Sequence, residues 1–414
     1  MKRTLQKSVL IAFVAIISVA SSAQFSHPLG LEAGLGCRQG NYSQPRMHVE
    51  GNTLYVCTNQ GLCSKDLSDD DSAWQLAGFE GVPLQDYVRR GSDMLALRYN
   101  NGGNFLLLSH DGGKTYEDVT PEIFCQEKYD VLPCLAQHPT DSNTLLVSSI
   151  YWGIFRSTDF GQTWENLTEY MYGNRAASFI GFHPILPSII FNSGEGYMFE
   201  GHIMISYDDG LTWTDHGNSL GFHGDNCVHR PAFNHNNPDC WVVGGEGCVF
   251  LSGDCGQTWS CQDYQGSLQG KSYWYFSLFD NVCPNIVYMS GCVNNNSREI
   301  RVMCSTDSGK TWGIPLIVPK SQFPVKTTDI VNDLQQTHDN LLIYTETDVY
   351  VVSKSELLAQ STVPVQNVTR TSESLNHTSY DLSGRPVPGH PQRGLYIQGG
   401  RKVVHTRTQF NGRE

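Results

Sequence analysis

The 414-residue chain is predicted to be an all-β protein, a seven-bladed β-propeller, and three observations carry that prediction. An octet S-x-D-x-G-x-T-[WY] returns at nearly constant spacing. The same succession of short apolar runs and Gly/Pro/Asn turns precedes each copy. Two weaker copies extend the series at its ends. Self-similarity at a period of about 40–50 residues marks one supersecondary unit used repeatedly, and four short strands per period is the pattern of a propeller blade.

The five clear copies are SHDGGKTY at Ser109, STDFGQTW at Ser157, SYDDGLTW at Ser206, SGDCGQTW at Ser252 and STDSGKTW at Ser305. Their acids, Asp111, Asp159, Asp208, Asp254 and Asp307, are 48, 49, 46 and 53 residues apart. Upstream of each octet runs an apolar strand ending near His-Pro or Asn-Pro, a second strand, a Gly-rich turn and a third strand that enters the Ser. Residues after the Trp supply the fourth. TLYVCTNQGLCSKDLSDDDSAWQL keeps the strand pair with Ser64, Asp66 and a displaced Trp74, and NLLIYTETDVYVVSKSELL keeps the strand pair and Ser353. With these the count is seven units from about Gln44 to Thr362, and degenerate end copies are usual in repeat arrays.

Within the octet every residue has a structural use. Gly supplies positive φ, the short Asp accepts nearby backbone N–H groups, Ser and Thr hydroxyls add further bonds, and the Trp ring packs between neighbouring blades. The spacing of acids lacks the distal Glu of a calcium loop. SGKT lacks the upstream Gly of a phosphate loop. One acid per blade does not pair carboxylates for glycoside hydrolysis. The octet therefore reads as scaffold, and no metal or cofactor motif is found.

MKRTLQKSVLIAFVAIISVASSAQ reads as a signal peptide over residues 1–23, cut after Ala23, which makes the mature chain a secreted or cell-surface bacterial protein. The formal charge of −13 becomes −16 once Lys2, Arg3 and Lys7 are removed, which argues against nucleic acid as a partner. All thirteen Cys lie between Cys37 and Cys304 without a C-x-x-C pair, and export favours a few disulfides; Cys57 and Cys63 flank TNQGL at positions suited to bridging a hairpin.

The octet resembles the Asp box, or BNR repeat, of sialidases, xyloglucanases, sortilin-type receptors and photosystem II assembly factors. The resemblance implies a propeller over residues 24–362 whose Asp-box turns face away from the ligand. It leaves the activity open, since those relatives include enzymes, receptors and assembly factors. The sialidase Arg-Ile-Pro motif is absent, and HRPAF at His229 is its faint echo. After a polar linker at 363–378, SYDLSGRPVPGHPQRGLYIQGGRKVV resembles the C-terminal sorting module of Bacteroidetes exported proteins. That resemblance implies a small C-terminal β module at 379–414, read by secretion machinery of the type IX kind.

If the octets mark one face, the loops of the opposite face hold the ligand site. EYMYGNRAASF offers Arg175; SGEGYMFEGH offers Glu195, Tyr197 and Glu200; GFHGDNCVHRPAF offers His223, Asp225, His229 and Arg230; QGKSYWYF offers Lys271, Tyr273 and Trp274. LQDYVRRG adds Asp86, Tyr87, Arg89 and Arg90. Aromatic rings for sugar faces, Arg for a carboxylate and acids or His for proton transfer fit a glycan-cleaving site. Glu195, Glu200, Asp225 and His229 are the catalytic candidates; Arg175, Tyr197, His223, Arg230, Lys271, Tyr273 and Trp274 are the substrate-binding ones. The sequence thus predicts an exported glycan-directed protein of the glycoside hydrolase or polysaccharide lyase kind. The alternative is a non-catalytic propeller that binds a protein or peptide.

Overall fold

In the computed structural model the described residues are 26–31, 45–98, 105–125, 135–149, 153–168, 176–195, 201–216, 228–245, 247–263, 272–293, 299–318, 331–346, 348–360, 379–380, 386–387, 394–398 and 401–405. The chain divides into residues 1–367 and 368–414. The first unit is a propeller of antiparallel sheets. Four of them take their strands from contiguous sequence: sheet A from Met47–Glu50 to Gln75–Gly78, sheet B from Leu84–Arg90 to Glu117–Asp118, sheet C from Leu135–Gln137 to Glu165–Asn166, and sheet D from Ala176–Phe182 to Thr214–Asp215. Sheet F combines Val331–Gln336, Asn340–Thr345 and Val349–Ser353 with the distant N-terminal strand Ser26–Pro28, which pairs with Val349–Ser353 through Ser26↔Val352 and Pro28↔Tyr350. Gly30 N and Leu31 N then donate to Asp348 at 3.1 and 2.9 Å and fasten that strand's exit.

The count of seven separate blades is overturned here. Five four-stranded blades, A, B, C, D and F, stand apart, and the fifth and sixth repeats run together as one eight-stranded sheet E from Val228–Phe233 to Leu316–Ile317. The two halves of E meet where Arg230 pairs in parallel with Phe276. Two features let the strands come this close. The first strand of E slips in register between Val228 and Pro231. At Gly244 a Cβ would lie 2.3 Å from Trp274 O, so only glycine admits the neighbouring backbone.

The octets close the turns between third and fourth strands in sheets B to E, and their contacts repeat closely. The Ser hydroxyl donates to Asp Oδ1 at 2.8–2.9 Å and accepts the Gly N–H at 2.7–2.8 Å. Asp Oδ1 accepts Thr N at 2.7–2.8 Å and Oδ2 accepts the Thr hydroxyl at 2.6–2.7 Å. The residue before the Gly also has positive φ, and in four copies it is not glycine: Phe160, Asp209, Cys255 and Ser308, at 57–61°. The octet Gly has a second reason to be glycine. A Cβ on Gly161 would lie 2.5 Å from Leu95 of sheet B, and one on Gly256 2.6 Å from Ile205 of sheet D, so each turn abuts the preceding sheet. Trp164 packs with Val88, Leu95 and Phe155, and Trp312 with Val242 and Trp274, so the rings also bridge neighbouring repeats.

The turns between first and second strands lie on the same face and stitch it together. His183 Nδ1 accepts Ile185 N and Leu186 N at 3.1 and 3.0 Å while Nε2 donates to Pro238 O of the next repeat at 3.2 Å. Asn234 repeats the device, accepting Asn236 N and Asn237 N and donating to Pro284 O at 2.7 Å. These contacts fix His183 as neutral with its proton on Nε2, in keeping with the burial that lowers its pKa.

No disulfide joins any two of the nine cysteines whose side chains are described; the side chains of Cys37, Cys125, Cys134 and Cys227 lie outside the described residues. Cys57 and Cys63 show why the hairpin bridge fails. Cys57 faces Leu62 across the ladder and Cys63 faces Val56, so their side chains project to opposite sides of the sheet. No helix among the described residues is long and apolar enough to cross a membrane. The second unit holds a four-stranded antiparallel sheet in the order Pro386–Val387, Ser379–Tyr380, Gly394–Gln398, Arg401–His405.

Candidate functional site

The first strands of successive sheets contact one another around the ring and form its inner wall. Several of them bulge near their starts, and the bulges carry polar residues inward against their packing neighbours. In sheet B the register shifts between Leu84 and Asp86; in sheet F it shifts between Val331 and Asp333. Asp86 and Asp333 play the same part. Each accepts its own successor's N–H, Tyr87 at 2.9 Å and Leu334 at 2.8 Å. Each also accepts the first N–H of another sheet's inner strand, Leu135 at 3.0 Å for Asp86 and Met47 at 3.0 Å for Asp333. Both are buried, and each takes a side-chain partner: His48 Nε2 at 3.0 Å from Asp86, Arg230 Nη1 at 2.8 Å from Asp333.

The Arg230 bridge spans from sheet E to sheet F across Phe276. The guanidinium lies 5.2 Å from that ring, Arg46 lies 5.4 Å from the same ring, and Arg230 Nη2 donates to Leu334 O at 2.7 Å. Beside it, His229 is buried, with its ring edge-on to Tyr275 at 4.6 Å. Both sequence candidates are therefore set into the wall by packing and an ion pair. Trp274 is fully buried in the core of sheet E. Of Glu195 and Tyr273 the backbone alone is described: Glu195 ends Ile190–Glu195 opposite Gly201, and Tyr273 stands opposite Cys292. Arg175, Tyr197, Glu200, His223, Asp225 and Lys271 lie outside the described residues.

A different group comes together at the other end of the inner wall. Met47–Glu50 and Leu84–Arg90 end in the turns Gly51–Asn52 and Gly91–Ser92, and Ser92 O accepts Gly112 N of an octet, so this end belongs to the octet face. Here a cavity of about 430 Å³ is lined by His48, Glu50, Tyr87, Arg89, Leu135 and Gln137, with Val88 and Gly91 completing the wall. Glu50 is held from two sides: Tyr87 Oη donates to Oε1 at 3.1 Å and Arg89 Nη1 to Oε2 at 2.7 Å. Arg89 lies 4.8 Å from the Tyr55 ring and 5.8 Å from the Tyr87 ring. His48 is oriented by Asp86 and by the edge of Tyr87 at 4.7 Å, and it stays 37% exposed. Burial, reinforced by Glu50, pushes the Tyr87 phenol far above its ordinary pKa, so it remains a proton donor.

Asp86, Tyr87 and Arg89 stood out in the sequence; His48 and Glu50 did not. They are 38 and 37 residues from the partners that define them, Asp86 and Tyr87. The available signal was the pair Gln85-Asp86-Tyr87 and Asn332-Asp333-Leu334, an amide and an acid at the same place in two inner strands.

No protein-family model matches this sequence, and no curated protein matches it. Among solved structures the fold is similar to the GH74 xyloglucanase from Xanthomonas campestris, with a TM-score of 0.57 and 15% identity over 78% of this chain and 52% of that one. It is similar to the GH74 enzyme of Niastella koreensis, with a TM-score of 0.56 and 15% identity over 92% of this chain and 60% of that one. It is also similar to YCF48 bound to D1 peptide, with a TM-score of 0.52 and 14% identity over 76% of this chain and 95% of that one. The chain thus spans about half the length of the xyloglucanase and nearly the whole of YCF48. At these identities the likeness establishes the β-propeller fold.

Proposed function

We propose that this chain is an exported, glycan-directed propeller protein that binds an extracellular saccharide in the cavity between His48 and Arg89. The observation that carries the reading is the fixed network on Glu50. A carboxylate whose two oxygens are held by a phenol and a guanidinium, beside an oriented imidazole and tyrosine rings, offers planar polar groups and aromatic surface without prior rearrangement. The groups that touch the cavity come from strands and their immediate turns, which keeps the loss of side-chain freedom on binding small. Kinship of fold with GH74 enzymes supports a saccharide as ligand. Among the residues lining the cavity Glu50 is the one carboxylate, while Asp86 behind it is buried under three donors. The cavity therefore suits recognition better than hydrolysis by two facing acids. Residues 379–414 serve, in this proposal, as the export address.

A second reading, a platform for a protein or peptide, is supported by YCF48, of which the match covers 95% and whose structure carries a peptide. Affinity electrophoresis of the mature protein in gels of different polysaccharides separates the two. The expected result is retardation by at least one neutral polysaccharide, reduced about tenfold by Glu50→Gln and by Arg89→Lys. Migration unaffected by every polysaccharide, together with selection of a peptide from a displayed library, would establish the second reading instead.

A further inference from the structure

The strongest unexplained group lies where sheets E and F meet on the octet face. Lys354, the first residue of the helix Lys354–Gln360, is 5% exposed and sends its ammonium into a shell of five oxygens. These are Asp280 Oδ2 at 2.9 Å, Asn281 Oδ1 at 2.9 Å, Gln336 Oε1 at 2.8 Å, Thr337 O at 2.8 Å and His338 O at 3.2 Å. An ammonium has three N–H donors, so five acceptors exceed what a lysine can satisfy with directed bonds. The shell also holds itself together without the lysine. Gln336 Nε2 donates to Phe279 O at 2.8 Å, and Asp280 Oδ1 accepts Val282 N and Cys283 N at 2.9 and 2.7 Å.

An oxygen shell of this composition is a cation site. Its distances are too long for calcium at about 2.3–2.6 Å or magnesium at about 2.0–2.1 Å, and its single carboxylate balances one positive charge. A route from solvent is present as well. Asn281, Gln336, Thr337 and His338 also line a cavity of about 550 Å³, whose wall carries Asp66 and Asp69.

We infer that the five oxygens at the junction of sheets E and F form a monovalent-cation site, of potassium or ammonium size, that the chain's own Lys354 occupies as a tethered ion. The lysine thereby clamps the end of the eight-stranded sheet to the sheet that closes the ring. Removing its head group leaves a site that a free cation of the same charge and size fills.

The test uses the full chain with Lys354→Ala and, to keep the methylene stem, Lys354→Met. Thermal midpoints are measured in choline chloride and then in KCl, NH4Cl, NaCl and LiCl at one ionic strength. In choline both variants are expected to melt at least about 5 °C below the parent. KCl or NH4Cl restores half or more of that loss saturably, LiCl does not, and the parent responds to none of them. Equal response of the variants to every salt, or variants as stable as the parent, overturns the inference. If neither variant folds in choline, the yield of soluble protein refolded in KCl against LiCl is the readout, and equal yields overturn it. On the parent, an amine-acylating reagent should modify Lys354 at least tenfold more slowly than exposed Lys114; equal rates refute the cage itself.

Discussion

The octet turns and the inner strands occupy corresponding places in successive repeats, yet they behave in opposite ways. At the octets five sequences give five copies of one hydrogen-bond pattern, with each class of bond constant to about 0.1 Å. On the inner wall the backbone bulge recurs while its residues vary: an Asp in sheets B and F, each with a different partner, but His229 and Arg230 in sheet E. Sequence repetition marks what every repeat must do, which is to turn the chain and seal against its predecessor. Divergence at a recurring backbone position marks where individual repeats were free to acquire separate roles.

The comparison is tested hardest at Asp333. Removing it by Asp333→Ala takes the carboxylate from the partly buried Arg230, which keeps Leu334 O, and the acceptor from buried Met47 N, so a loss of about 3 kcal/mol is expected in urea unfolding. Asp159→Ala, at an exposed octet, should cost about 1 kcal/mol. If Asp333→Ala cost no more than the octet change, the inner wall would be no more specialised than the turns.

The next effect comes from the octet glycines. Ala at Gly161 must adopt φ near +88° and place a methyl 2.5 Å from Leu95, at a cost of about 2–4 kcal/mol. The equivalent change at Gly210 should agree within about 1 kcal/mol, because there too the methyl would meet a leucine, Leu167 at 2.7 Å. A wide spread between these two in differential scanning calorimetry would break the equivalence of the copies.

The smallest effect is the pH profile, in which two buried histidines outside the inner wall titrate apart from the octet acids. Burial holds the pKa values of His183 and His216 below 6.5, so only the unfolded chain takes up those protons at first, and stability begins to fall as pH drops below about 6.5. At the octets the N–H and hydroxyl of Thr115 hold Asp111 down to about 2, and the other four octet acids are lowered in the same sense. Their contribution is complete above about 3.9 and is lost as pH falls toward 2. Asp348, raised by burial, works weakly against this trend. A midpoint that stays flat from pH 7 to pH 4 and drops only afterwards would remove the histidines from the account.

What the sequence made legible follows from the range of the interactions. Each octet is complete within eight residues, so Ser157, Asp159, Gly161 and Thr163 could be assigned roles without knowing any neighbour. The joining of two repeats into sheet E depends on Gly244 meeting Trp274, thirty residues further on, and no local pattern announces it. The Cys57–Cys63 bridge failed for a reason of parity, since the hairpin's register sends the two side chains to opposite faces. In the site, Tyr87 and Arg89 were visible as an unusual pair on a strand. Glu50, which organises them, is an ordinary acid before an ordinary turn until the ring brings it alongside.

The strand Ser26–Pro28 gives the molecule an order in time. It is translated before every other element described, yet its place beside Val349–Ser353 does not exist until the last repeat has been made, and Gly30 waits across 318 residues for Asp348. Contacts this distant in sequence are entropically costly to bring together and form late. A chain broken off anywhere before residue 349 leaves its first strand unseated and the ring open. Closure thus reports that synthesis has passed residue 349.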